Sequence, residues 1–221
     1  MSRDIILKAV RTANAQQGMS GKATRRQDHD TVTIENAAQG PVDTQSEFSS
    51  RLQACGVIVE RLGTQADVPS AVLRFVTAAR VPLVIRHGND PDIAALPWHE
   101  TPSLQRRTGA ASPDDLVTLS RAHRGIAETG TLLLASGADN PVTLAFLPEL
   151  HIVLIDAARV VQTIDGALAC LRDAQYLPRT INLISGASRT GDIGGRLVMG
   201  AHGPRQLVVL LVGRSNENGA L

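Results

Sequence analysis

Two glycine-bounded segments concentrate the groups with which a protein does chemistry. The first, Gly125-Ile126-Ala127-Glu128-Thr129-Gly130-Thr131, sets one carboxylate and two hydroxyls between glycines, just ahead of an apolar run. The second passes from Ile184 through Ser185, Gly186, Ala187, Ser188, Arg189, Thr190 and Gly191 to Asp192, and Gly200-Ala201-His202-Gly203-Pro204 follows. Backbone N–H groups at turns gather around anions, and a guanidinium meets a carboxylate or phosphate with a two-pronged fork. The second segment therefore carries the parts of an anion cradle: Ser185, Gly186, Ser188, Arg189, Thr190 and Gly203. A plainer account uses the same residues. Ser188 and Thr190 can cap a helix, Arg189 can pair with Asp192, Glu128 can stand as an exposed loop carboxylate, and His202 can orient a turn.

Several familiar chemistries do not fit. Gly186 to Gly191 has the glycine spacing of a P-loop, but Asp192 and Ile193 stand where Lys and Ser or Thr must meet the phosphates and magnesium. Gly186-x-Ser188 begins like a nucleophile elbow, yet Thr190 occupies the final glycine position. The chain has no G-x-G-x-x-G for a dinucleotide, and its histidines, at 29, 87, 99, 123, 151 and 202, form no H-x-x-x-H pair. Hence no metal site is expected.

Composition narrows the classes further. The 221 residues are 43% apolar, enough for a substantial core, and the formal net charge of +1 gives no basic surplus for nucleic acid. With three Phe, one Trp and one Tyr, base-stacking platforms are hard to build. Cys55 and Cys170 lie far apart and in no C-x-x-C pattern, so the expectation is two buried, reduced thiols and no cysteine-ligated cluster in this chain. The first residues lack a signal-peptide apolar region, and no apolar run approaches the roughly 20 residues of a membrane span, so a cytoplasmic address is expected.

The elements that position the two segments follow from periodicity. Ile6, Val10 and Ala13 suggest a short N-terminal helix, and residues 14–44 read as a polar arm that serves as a linker, a lid or a partner-binding arm. From residue 45 onward one α/β domain is expected. Phe48, Leu52 and Cys55 share a helix face that Gly56 ends, and Val57-Ile58-Val59 reads as a strand. Asp67-Val68-Pro69 opens a second helix carrying Val72, Phe75, Val76 and Ala79, and Pro82-Leu83-Val84-Ile85 reads as the next strand. Residues 89–115 read as irregular. Apolar strands are expected at 116–119, 131–135, 152–155, 182–184 and 207–212, with a helix carrying Ile164, Leu168 and Leu171 among them. Helices alternating with strands predict an open, mostly parallel sheet with flanking helices.

The two segments, together with Leu147-Pro148-Glu149-Leu150-His151-Ile152-Val153 and Gly200 to Pro204, resemble the LUD domain family over roughly residues 45 to 213. The chain departs from the family pattern at Ala187, Gly191 and Gly194, which stand in place of Pro, Ala and Glu. The resemblance implies a fold like that of CoA transferases and sugar-phosphate isomerases. It also implies a part in oxidising L-lactate to pyruvate, as the cluster-free component of a system whose iron–sulfur centres sit on partner subunits. In that role Glu128, Arg189 and His202 are the catalytic candidates: Arg189 would pair with the carboxylate, and His202 or Glu128 would take the hydroxyl proton. Thr129, Thr131, Ser185, Gly186, Ser188, Thr190 and Gly203 are the ligand-binding candidates. Other expectations from the same fold are a stand-alone enzyme on a sugar phosphate or CoA ester, or an assembly module docking through the arm or residues 89–115.

Overall fold

The near-continuous apolar runs of β7 (Leu150–Asp156) and β12 (Gln206–Val212) are what a strand covered on both faces requires. In the computed structural model, which describes residues 43–173, 178–191, 197–200 and 203–213, these two strands lie side by side in a parallel sheet. The expected N-terminal helix and nearly all of the arm lie outside the described residues. The sheet has six strands in the order β1-β12-β7-β4-β2-β3, with β1 at Ile58–Leu62, β2 at Val84–His87, β3 at Gln105–Thr108 and β4 at Val117–Arg121. All of its pairings are parallel. The open parallel sheet with flanking helices predicted from the alternation is present.

Alternation along the strands separates two cores. Ile152, Leu154, Val208 and Leu210 pack with Val68, Val72 and Val76 of α2 (Val68–Ala78) and with Trp98. Val153, Ile155, Val209 and Leu211 face the other way, onto Phe48 and Leu52 of α1 (Thr44–Ala54) and onto a second sheet. Asp43 caps α1 by accepting from the Gln45 N–H, and Pro69 stands in the first turn of α2, where a missing N–H is harmless.

The second sheet was not evident in the sequence. It runs β8-β5-β6-β9, with β5 at Arg124–Ile126, β6 at Thr131–Ala135, β8 at Val160–Val161 and β9 at Ile181–Ile184. The β5–β6 and β6–β9 pairings are antiparallel. Its far face packs Ile126 and Leu133 against Ala167 and Leu171 of α4 (Ile164–Asp173).

Three local expectations change. Residues 89–115 are not irregular: they hold α3 (Pro91–Ala94), a 3-10 turn at Trp98–Glu100 and β3. Asp90 nucleates α3 by accepting from the Asp92 and Ile93 N–H groups, whereas β3 is an edge strand with every residue exposed and so lacks an apolar signature. The segment after Ser185 does not enter a helix within the described residues. It forms a hairpin of β10 (Arg189–Gly191) and β11 (Leu197–Met199). Finally, Cys55 and Cys170 are free as expected but half-buried, not buried.

Candidate functional site

Pairing of β6 with β9 brings the two glycine-bounded segments together. In that register Leu132 faces Ile184, so Thr131 and Ser185 meet at the strand ends. Their hydroxyl oxygens are 2.7 Å apart, and Thr129 Oγ1 is 2.7 Å from Thr131 Oγ1. Thr131 is buried, Ser185 half-buried and Thr129 exposed, so the line of hydroxyls runs from inside the fold to its surface. Each hydroxyl can donate one bond and accept two, which lets such a line hold a polar ligand or relay a proton.

The glycines of the first segment have steric reasons. Gly130 sits at φ +60°, and a Cβ there would lie 2.6 Å from Arg51 Cβ and 2.9 Å from the Leu52 nitrogen. A Cβ on Gly125 would lie 2.9 Å from both Phe48 Cζ and Ile155 Cδ1. Both positions let the second sheet ride directly on α1. Between them, Glu128 turns back and its Oε1 accepts from the Ile164 N–H at 2.8 Å. A carboxylate there satisfies one of the open donors at the start of α4 and complements the helix dipole. Close by, Glu47 accepts from Gln162 and from Arg51, and these bonds, that of Gln162 foremost, hold its carboxyl below the usual carboxylate range.

The second segment is anchored at the C-terminal end of α1. Arg189 Nη2 donates to the Cys55 carbonyl at 2.9 Å, placing a cation on the C-terminal end of that helix. Gly186 lies over Cys55, and the Ser188 N–H donates to the Pro204 carbonyl at 2.9 Å, with Gly203 against the Ser188 side chain. Thr129, Thr131 and Ser185 are therefore in contact, Glu128 is engaged at α4, and Arg189 is engaged at α1. The side chain of Thr190 and all of His202 lie outside the described residues, as does Asp192. Among the described residues no group of three or more His, Cys, Asp or Glu is placed to hold a metal ion, and no helix is long and apolar enough to cross a membrane.

A buried Ser–His pair has no local signature in the sequence. Ser120 Oγ and His151 Nε2 are 2.6 Å apart, at 1% and 0% exposure, on the sheet face that looks toward Val153 and Ile155. Burial pushes the imidazole down to about 3, so it is neutral near pH 7. Such a pair resembles a nucleophile and its base, but a nucleophile must be reached by substrate, and this one is sealed in the core. Arg121 and His123 have no local signature either. Asp90, which pairs with Arg121, and Arg159, which lines the same cleft as His123, are distant in sequence, and only the sheet order assembles them.

The LUD domain family model matches residues 46–212. An uncharacterized protein of Neisseria meningitidis serogroup B is 40% identical over 94 residues, which are 42% of this chain and 40% of that protein. Lactate utilization protein C of Anoxybacillus flavithermus is 31% identical over 106 residues, 45% of this chain and 48% of the relative. The protein of the same name from Deinococcus radiodurans is 36% identical over 89 residues, 40% and 42% of the two chains. The matches thus span less than half the length of these curated relatives. Among solved structures, a DUF162 family protein from Deinococcus radiodurans shares the fold with a TM-score of 0.60 at 23% identity, covering 80% of this chain and 100% of that one. With more than half of its length matched by the family model, the chain belongs to the LUD domain family.

Proposed function

We propose that this chain works in lactate utilization, as a cytoplasmic component that binds a small carboxylate and acts with iron–sulfur partner subunits in oxidising L-lactate to pyruvate. The observation that carries this reading is its family membership together with relatives named Lactate utilization protein C. Two isolated cysteines fall short of the four thiolates a cluster usually takes, which supports placing the iron–sulfur centres on partners.

The candidate seat for the acid is the junction of the two segments. Thr129, Thr131, Ser185 and Ser188 offer hydroxyls there, and the turns at Gly186 and Gly203 offer backbone donors. Arg189 is exposed and, among the described residues, is bonded only through Nη2 to the Cys55 carbonyl, so the rest of its guanidinium is offered to a carboxylate. Oxidation of lactate removes two electrons and two protons. In this account Glu128 or His202 takes the hydroxyl proton, Thr190 lines the seat, and the hydrogen on C2 leaves with the electron pair to an acceptor on a partner.

The test is lactate-dependent reduction of an artificial electron acceptor by this chain with its partner subunits. Arg189→Ala is expected to lower the rate about tenfold or more, the worth of one charge-assisted fork. A variant as active as the unaltered chain removes Arg189 from the mechanism.

A further inference from the structure

The sheet order places a switch between β2 and β4. These parallel neighbours send their chains in opposite directions, β2 outward to β3 and β4 inward toward β7. Loops above the C-terminal ends of two such strands part and leave a crevice, which is where open α/β sheets receive ligands. A cavity of about 60 Å³ lies there, lined by Asp90, Arg121, His123, Asp139, Asn140 and Arg159.

Its walls are unequal in what they have left to offer. Arg121 is tied on two sides, Nε to Asp90 at 2.8 Å and Nη1 to Asp92 at 2.7 Å, so it is a fixed and largely neutralised wall. Half-buried Arg159 makes no ion pair or hydrogen bond to the described residues. His123 Nε2 is buried without a hydrogen-bond partner among them. Burial first, then the guanidiniums of Arg124, Arg159 and Arg121, push that imidazole down, so near pH 7 it is a neutral hydrogen-bonding group. A buried polar atom with no partner and an uncommitted cation on one small cavity are both met by a single polar anion.

Size and charge define that anion. At about 30 Å³ per water in the liquid, the cavity holds roughly two waters, room for the carboxylate end of a small acid. Asp139, which makes no ion pair among the described residues, also lines the cavity and disfavours a dianion such as hydrogen phosphate, while the Arg159 guanidinium matches one planar carboxylate.

We infer that the cleft over β2 and β4 is a second binding site, distinct from the junction of the two segments, for a two- or three-carbon carboxylate monoanion, with Arg159 forked to the carboxylate and His123 bonded to the oxygen on C2. The inference goes beyond the lactate reading and does not need it.

Titration of the full-length protein with glycolate, lactate and pyruvate, followed by the NMR signal of the His123 ring, tests it. Saturable shifts of that signal are expected. Arg159→Gln should weaken them at least about tenfold with an unchanged melting temperature, and Arg159→Lys should weaken them less, since it keeps the charge and loses the fork. Arg189→Ala should leave them unchanged. Absence of a shift, equal affinity in Arg159→Gln, loss of the shift in Arg189→Ala, or a response to inorganic phosphate but to none of the acids would each overturn the inference. Growth on lactate reports on the functional reading separately, so failure of one is distinguishable from failure of the other.

Discussion

His151 makes folding stability depend on pH in a calculable way. Its imidazole is fully buried, with only Ser120 on Nε2 and no partner on Nδ1, and burial lowers it from 6.5 to about 3. The unfolded chain protonates this group as pH falls through about 6.5, while the native protein does not until near 3. The unfolded state therefore binds the extra proton in that window. The stability contribution is fully present above 6.5 and declines as the solution is acidified. At pH 5, about 1.5 units below the unfolded value, the loss from this one residue is about 2 kcal/mol at 1.36 kcal/mol per unit. Burial also lowers His87 and His123, which act in the same direction, so a variant is needed to isolate His151. Urea unfolding of the unaltered chain and of His151→Gln, each near pH 7.5 and pH 5, provides the comparison. The variant is expected to lose about 2 kcal/mol less on acidification. Should it fail to fold, the His151 ring signal in the unaltered protein serves instead, and it should stay neutral to below pH 4. Equal losses in the two chains, or a native His151 that titrates near 6.5, would refute the reasoning.

Two further substitutions probe the way the second sheet is mounted. Gly125→Ala drives a methyl toward Phe48 and Ile155, and chemical denaturation should show about 1–3 kcal/mol of destabilisation as those side chains shift. Glu128→Ala removes the acceptor from the Ile164 N–H, and about 1 kcal/mol should be lost, with hydrogen exchange quickening most in the first turn of α4.

The parallel sheet was legible because its strands are long, aliphatic and separated by helical periodicity, as Leu150–Asp156 and Gln206–Val212 show. The second sheet was hidden. β5 and β8 are three and two residues long, too short for any period to register, and Gly125 sits in β5 for a steric reason that only contact with Phe48 reveals. Ser185 to Gly191 read as a turn into a helix because its glycines and hydroxyls suit a cap as well as a hairpin; the tie from Ser188 to Pro204, a nonlocal bond, decides between them. For the site, spacing identified both segments, and the structure shows that β6 and β9 join them. It did not indicate that Glu128 serves α4 or that Arg189 serves α1, since each partner lies more than thirty positions away. The cleft around His123 has no local signature for the same reason: its lining comes from the ends of β4 and β6 and the turns after β2, β4, β6 and β7, with no more than three residues from each.

A role in lactate utilization is put to the test by growth of the host organism with this gene deleted. Deletion should abolish or severely slow growth on L-lactate as sole carbon source while leaving growth on pyruvate intact, with the unaltered gene restoring it. Undiminished growth on L-lactate in a strain without other lactate-oxidising enzymes would contradict the claim.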